Sequence, residues 1–350
     1  MQPMQYHSLK VAEVITETPD AKSIVFAVPA DLHERFAYKP GQFLTLRIGD
    51  AEGHVARCYS LASSPFTGEA PKVSVKRVNG GIGSNWICDH LNVGDTVEVL
   101  PPAGVFVPKN LDRDLMLFAG GSGVTPVMSI LKSALLKGRA KIAFVYANRD
   151  ERSVIFAQEL RDLAARHADR LTVLHWLESV QGLPTVEQLA GLVKPYAATH
   201  EAFICGPAPF MDGVVAALQS LKVERSRIHL EKFISLDGDP VAIVAAIEAE
   251  AAASPEGQPH TAVEVLLDGA THTVDWPASR HLLDVLLEAG VDAPYSCRMG
   301  SCSACMCKLE EGDIRMSKNS ILDKNDLAEG WILACQSLPL TPKVKVSFPE

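Results

Sequence analysis

The chain has 350 residues, 47% hydrophobic and 21% charged, the proportions of a soluble globular protein with room for two or three domains. Its net charge of −9 excludes a nucleic-acid partner that needs a basic footprint. No apolar run approaches the ~20 residues of a membrane span, and Met1 to Thr18 has no apolar signal-peptide core, so a cytoplasmic protein without membrane attachment is expected.

Within residues 1–110, β-type runs at 10–16, 23–28, 42–48, 55–61, 72–78 and 96–100 alternate with turn signals such as Pro40-Gly41 and Gly94-Asp95. That rhythm predicts an antiparallel β-barrel. One short helix interrupts it at 83–91, with Ser84 or Asn85 near its N-cap. In the fourth run Arg57 and Tyr59 fall on one face, where a guanidinium can grip a phosphate while a ring packs on a planar cofactor. Gly81, Gly83 and Ser84 open the helix, and a helix N-terminus is a ready phosphate site. Cys58 and Cys88 read as small buried residues rather than metal ligands.

From 111 to 235 the pattern changes to alternating strands and helices. Apolar runs at 115–119, 142–146, 171–177, 202–205 and 228–233 are separated by amphipathic runs at 126–136, 153–166, 185–192 and 209–221. A doubly wound α/β domain follows, with its ligands at the C-terminal ends of the strands. Those ends carry Gly120-Gly121-Ser122-Gly123-Val124-Thr125-Pro126 and Cys205-Gly206-Pro207. The glycines allow a pyrophosphate to approach backbone N–H groups, although close packing of two loops would use them equally well. After the second strand stand Arg149, suited to a 2′-phosphate, and Asp150, suited to a ribose diol, so the choice between NADPH and NADH stays open.

Residues 236–260, with Pro and Gly at both ends, read as a linker, partly helical over 241–253. Beyond it, strands at 263–267 and 271–276 flank the hairpin signal Asp268-Gly269; Ser279 is placed to cap the next helix and Gly290 to stop it. Residues 261–350 form the last unit. There Cys297, Cys302 and Cys305 stand at C-x4-C-x2-C spacing in a loop of small residues, and Cys335 follows at a distance. This is the ligand spacing of a plant-type [2Fe–2S] cluster. Zinc also takes four thiolates, but zinc ribbons carry two C-x2-C knuckles and only one is present. Cys307 lies outside the pattern and reads as a non-ligand, while the acidic residues that follow suit either a docking face for a basic partner or ordinary solvated surface.

Tyr295 to Cys305, closed by Ala334-Cys335-Gln336, resembles a plant-type ferredoxin, which implies a β-grasp α+β domain. Arg57-Cys58-Tyr59-Ser60 and Gly81 to Ser84 are similar to the FAD domain of the ferredoxin–NADP reductase family, and Gly121-Ser122-Gly123-Val124-Thr125-Pro126 with Cys205-Gly206-Pro207 to its nucleotide domain. The resemblance implies that Arg57, Cys58, Tyr59, Ser60, Val75, Lys76, Val78, Gly81, Gly83 and Ser84 line FAD. It further implies that Gly121, Gly123, Thr125, Arg149, Cys205, Gly206 and Pro207 meet the nicotinamide dinucleotide. Ser60, Cys205 and Glu231 would border the hydride path, with Phe233 a weaker candidate. Cys297, Cys302, Cys305 and Cys335 would hold the cluster. In domain order the chain resembles the flavin–ferredoxin reductases of multicomponent oxygenases, among them those of the 3-ketosteroid 9α-hydroxylases; local likenesses include Tyr146-Ala147-Asn148-Arg149-Asp150 and the stretch from Leu171 to Ser179. That family implies electron flow from NADH to FAD, to the cluster and on to a Rieske-type terminal oxygenase in steroid catabolism. The reductase of a phenylacetyl-CoA epoxidase or another aromatic oxygenase shares the same order and is the alternative. Ser303 departs from the glycine these reductases often carry after the second cysteine.

Overall fold

The computed structural model describes residues 5–50, 53–236, 238–243, 245–246 and 260–349. The expected linker helix at 241–253 therefore lies mostly outside the described residues.

The first unit is built from β1 (His7–Thr18), β2 (Ala21–Ala27), β3 (Phe43–Asp50), β4 (Gly53–Ser60), β5 (Lys72–Lys76) and β6 (Thr96–Ala103). They pair antiparallel in the order β4-β3-β6-β1-β2-β5, and a bridge between Leu61 and Val73 brings the two edges together into a barrel. Alternation turns Leu9, Val11, Ile24, Phe26, Leu44, Leu46, Val73 and Val99 into its core. The helix α1 (Ile82–His90) closes one side through Ile87 and Cys88. Its N-cap is Gly81, not Ser84 or Asn85. Ser84 lies in the first turn because its hydroxyl is turned back on the preceding loop, accepting from the Val78 N–H at 3.1 Å.

The second unit runs β7 (Leu115–Gly120), α2 (Val124–Lys137), β8 (Ile142–Asn148), α3 (Ala157–Arg166), β9 (Leu171–Leu177), α4 (Glu178–Gln181), α5 (Val186–Val193), β10 (Glu201–Cys205), α6 (Ala208–Ser220) and β11 (Ile228–Glu231). Its parallel sheet has the order β11-β10-β7-β8-β9. Leu115, Leu117 and Ala119 face α2 and α3, while Met116 and Phe118 face α5 and α6, so both sheet surfaces are covered. Strand order reverses between β7 and β10, the crevice where such sheets bind ligands. The helix expected from 153 starts at Ala157 instead, because Asp150 caps a single tight turn at Glu151–Ser153 and Phe156 then takes φ +62°. The Thr185–Gln188 capping box forms in both directions, at 2.9 and 3.3 Å.

The third unit comprises β12 (His260–Leu267), β13 (Ala270–Pro277), α7 (Leu282–Glu288), β14 (Met306–Glu311), β15 (Ile314–Met316), α8 (Lys324–Ala328), β16 (Trp331–Leu333), β17 (Ser337–Pro339) and β18 (Lys343–Ser347). The main sheet has the order β13-β12-β18-β14-β16, with β12 and β18 parallel and α7 packed on it through Leu282, Leu283 and Leu286. Asp268 and Gly269 both take positive φ, +49° and +74°, as a two-residue hairpin turn of matching twist requires. Ser279 does not cap α7. The Trp276 indole N–H donates to the Arg280 carbonyl at 2.6 Å, which prolongs the turn and moves the N-cap to His281. Gly290 ends the helix as expected, at φ +80°. Among the described residues no helix is long and apolar enough to cross a membrane.

Candidate active site

In the barrel, β4 pairs with β3 so that Arg57 lies opposite Leu46, Cys58 opposite Thr45 and Tyr59 opposite Leu44. Arg57 and Tyr59 thus share one face of the strand and Cys58 takes the other. The start of α1 lies directly on that face. A Cβ at Gly83 would stand 3.0 Å from Arg57 Cγ and 3.3 Å from the Tyr59 hydroxyl, so a larger residue there would have to push these side chains aside. Arg57 donates to the carbonyls of Ala56 at 2.8 Å and Leu236 at 3.1 Å, and a guanidinium has more donors than these acceptors use. With Gly81 and Ser84 it could hold a phosphate. Ser60 is buried at the end of β4, Val75 belongs to the barrel core, and Val78 is exposed. Any contact Val75 makes with a cofactor therefore passes through its backbone.

The two loops at the sheet's switch point touch. A Cβ on Gly123 would lie 2.2 Å from the Cys205 carbonyl oxygen, and one on Gly206 2.9 Å from Gly120 Cα, so these glycines serve packing. Gly121 differs: it takes φ +53°, and the single atom within 4 Å of its would-be Cβ is Lys76 Nζ, at 3.8 Å. That open backbone under a cation could receive a pyrophosphate. Thr125 is buried beside it and donates to the Ser122 carbonyl at 3.1 Å. Pro207 is the N-cap of α6. Cys205 and Glu231 are register partners at the ends of β10 and β11, both buried. Burial pushes the Glu231 carboxyl up to about 8; burial, and then Glu231 itself, raises the Cys205 thiol. Phe233 is half exposed. Arg149 pairs with Asp20 of the barrel at 2.9 Å, and the Asp150 carboxylate accepts from the Ser153 N–H and hydroxyl at 2.9 and 2.8 Å.

Cys297, Cys302, Cys305 and Cys335 are buried free thiols brought to one end of the third unit. They fall into two couples: Cys297 with Cys302 and Cys305 with Cys335. Among the described residues no three such side chains surround a point for a single ion. Two thiolate couples suit two irons, which is the donor set of a [2Fe–2S] cluster. N–H groups already aim at the sulfurs, from Met299 to Cys297 at 3.3 Å and from Cys297 to Cys302 at 3.4 Å; the Gln336 amide approaches Cys335 at 3.6 Å. The loop takes positive φ at Arg298, Gly300 and Ser303. Cys307, outside the four-cysteine pattern, is buried in the core of the third unit, in the same apolar cluster as Cys305 and Cys335.

Sequence reasoning missed the contact that joins these sites. Cys297, Met299, Cys302 and Ala304 share a buried apolar seam with Phe43, Ala56, Ala103 and Leu236. Within it Thr45 Oγ1 lies 3.4 Å from Cys58 Sγ and 3.3 Å from the Ser296 hydroxyl. Cys58 is half-buried with its thiol turned inward: burial pushes it up to about 12, with Cys297 and Glu231 adding to the shift. The strand that carries Arg57, Tyr59 and Ser60 is therefore in direct contact with the cluster loop.

Comparison with known proteins agrees with this reading. Family models match in the same order: an oxidoreductase FAD-binding domain over residues 8–107, an oxidoreductase NAD-binding domain over 117–216 and a 2Fe-2S iron-sulfur cluster binding domain over 265–340. The ferredoxin reductase component of 3-ketosteroid-9-alpha-monooxygenase from Rhodococcus rhodochrous is 55% identical over 97% of this chain and 96% of its own. One component of the 1,2-phenylacetyl-CoA epoxidase from Escherichia coli (strain K12) is 36% identical over 98% of each chain. The solved structure of phthalate dioxygenase reductase superposes with a TM-score of 0.59 at 22% identity, covering 98% of both chains, and shares the fold. The three domains make the chain an FAD- and NAD-binding oxidoreductase with a [2Fe–2S] domain. It belongs to the family of ferredoxin reductase components of 3-ketosteroid-9-alpha-monooxygenases.

Proposed function

We propose that this chain, a cytoplasmic protein, carries electrons from NADH through FAD and a [2Fe–2S] cluster to the Rieske-type terminal oxygenase of a 3-ketosteroid 9α-hydroxylating system. The observation that carries the reading is the seam that packs the cluster loop onto the strand pair bearing Arg57, Tyr59 and Ser60. Kinship at 55% identity favours the steroid system over the epoxidase, at 36%. The working units are 1–110, 111–235 and 261–350, joined through 236–260.

Arg57, Gly81, Gly83 and Ser84 hold the FAD pyrophosphate, Cys58, Tyr59 and Ser60 its ring system, and Val75, Lys76 and Val78 its adenosine half. Gly121, Thr125, Arg149 and Pro207 hold NADH, Gly123 and Gly206 let the two loops of that site pack together, and Cys205 places its nicotinamide. Bound FAD supplies the conversion of a two-electron hydride into the single electrons a cluster accepts. Glu231, kept protonated at neutral pH by burial, holds a proton beside Cys205, its register partner. The four cysteines hold the cluster against the seam, where water is excluded.

Reconstitution tests this. NADH-driven 9α-hydroxylation of a 3-ketosteroid by the purified oxygenase is expected to require this chain. Cys305→Ser should abolish that turnover while NADH still reduces a two-electron dye through the flavin. An oxygenase that the wild-type chain cannot drive would sink the steroid reading; loss of flavin in Cys305→Ser would contradict separate sites.

A further inference from the structure

The end of β8 carries the two residue types that distinguish NADPH from NADH, and the fold engages both. One oxygen of the Asp150 carboxylate, Oδ1, accepts from both the Ser153 N–H and its hydroxyl. Arg149 reaches across to the barrel, where its Nη2 lies 2.9 Å from Oδ2 of Asp20, in the turn between β1 and β2. The same oxygen lies 3.7 Å from Lys76 Nζ, the cation that stands over Gly121. The other oxygen of Asp20 accepts from the Thr18 hydroxyl at 2.8 Å, so the carboxylate is oriented by its own turn. The Ser179 N–H donates to the Arg149 carbonyl at 2.8 Å and ties the ends of β8 and β9 together. Gly121, Lys76, Asp20 and Arg149 thus connect the phosphate loop to the strand end that reads the ribose.

We propose that Asp20 is a specificity-determining residue: it holds Arg149 in an ion pair and so withholds that guanidinium from a 2′-phosphate, favouring NADH over NADPH. The side chain of Asp20 is 29% exposed and that of Arg149 65%, so the carboxylate is the fixed partner and the guanidinium the one that can be drawn away. Once released, the planar guanidinium can take two oxygens of a phosphate through its parallel N–H donors. The inference needs dinucleotide binding alone and is independent of the electron acceptor.

The test uses the full-length holoprotein and two probes that differ only in the 2′-phosphate, adenosine 5′-monophosphate and adenosine 2′,5′-bisphosphate, titrated by calorimetry. Asp20→Asn is expected to raise the relative affinity for the bisphosphate roughly fivefold, the factor one unit-charge contact at about 4 Å carries in water. The ratio of kcat/KM for NADPH over NADH should rise by a similar factor, and Asp20→Glu should keep the native ratio. Combining Asp20→Asn with Arg149→Gln should erase the gain. An unchanged preference in Asp20→Asn, or a gain that persists without Arg149, overturns the proposal. Should Asp20→Asn fail to fold, Asp20→Ser is read in its place: a rise in relative bisphosphate affinity that Arg149→Gln erases supports withholding, and an unchanged preference overturns it.

Discussion

Glu231 is the buried acid of the site, and burial raises its carboxyl from the ordinary glutamate value of 4.5 to about 8. Below 4.5 both the native and the unfolded chain hold the proton and no penalty arises. Between these values the native state keeps a proton that the unfolded state has released, so stability falls as pH rises across the window. Glu231→Gln should flatten that slope, which urea unfolding at the two ends of the window would measure; a slope that survives the substitution would place the buried proton elsewhere. Arg57 makes a second test at this scale. On the proposed reading Arg57→Ala removes a charge-assisted phosphate contact worth roughly 1.5–3 kcal/mol, and FAD should dissociate more readily by about tenfold or more. Flavin release on dilution measures it. Arg57, Tyr59 and the glycine loops were legible in the sequence because strand alternation and turn chemistry are local. The proton affinity of Glu231 was not, because it depends on what β10 and the barrel bury around it.

Among the elements, the cluster loop shows what spacing tells and what it omits. The cysteine pattern announced four ligands, but not the pair that shapes the loop between them. Arg298 takes φ +53°, places its guanidinium 4.8 Å from the centre of the Tyr295 ring and lies 3.3 Å from Asp284 on α7. Both charges are buried, 8% and 7% exposed, and burial raises the Asp284 carboxyl while Arg298 draws it back. The Arg298 carbonyl also accepts from Gln336, next to the distant ligand Cys335. Asp284→Ala leaves Arg298 buried without its partner, a defect that costs about 3–5 kcal/mol. The cluster absorption should bleach at a lower temperature than in the native chain while the flavin bands hold; a common shift of both would mean the loop is not the weak point. Neither this pair nor the displaced cap of α7 could be read from the sequence. Asp284 looks like an ordinary first-turn acid, and Ser279 loses its role to a Trp276 hydrogen bond that only the folded turn creates.

At the scale of the whole molecule the question is what keeps the cluster unit on the flavin barrel. Beside the Thr45–Ser296 hydroxyl contact, two kinds of contact are present. Ion pairs join the nucleotide unit to the cluster unit, Arg225 with Asp326 at 3.2 Å and Lys232 with Asp323 at 3.0 Å, all of them partly solvated. Such pairs are worth about 0–1 kcal/mol each. The seam buries Phe43, Leu236 and Met299, and each large apolar side chain removed from water contributes roughly 1.5–3 kcal/mol. The seam dominates. It was invisible in the sequence because its residues come from β3, β4, β6, the start of the linker and the cluster loop, segments whose own periodicities gave no sign that they meet. Salt of about 1 M shrinks the screening length to roughly 3 Å, so it should weaken the ion pairs and leave cluster reduction by NADH nearly unchanged. Leu236→Ala opens a cavity in the seam, a change that costs about 2–5 kcal/mol, and should slow cluster bleaching without slowing flavin bleaching. The backbone carbonyl that Arg57 uses is untouched by that substitution, so FAD retention serves as the internal control. Rapid mixing with NADH, followed at flavin and iron–sulfur wavelengths, separates the two steps. If salt slowed the second step and Leu236→Ala did not, the charged contacts rather than the apolar seam would be holding the cluster unit in place.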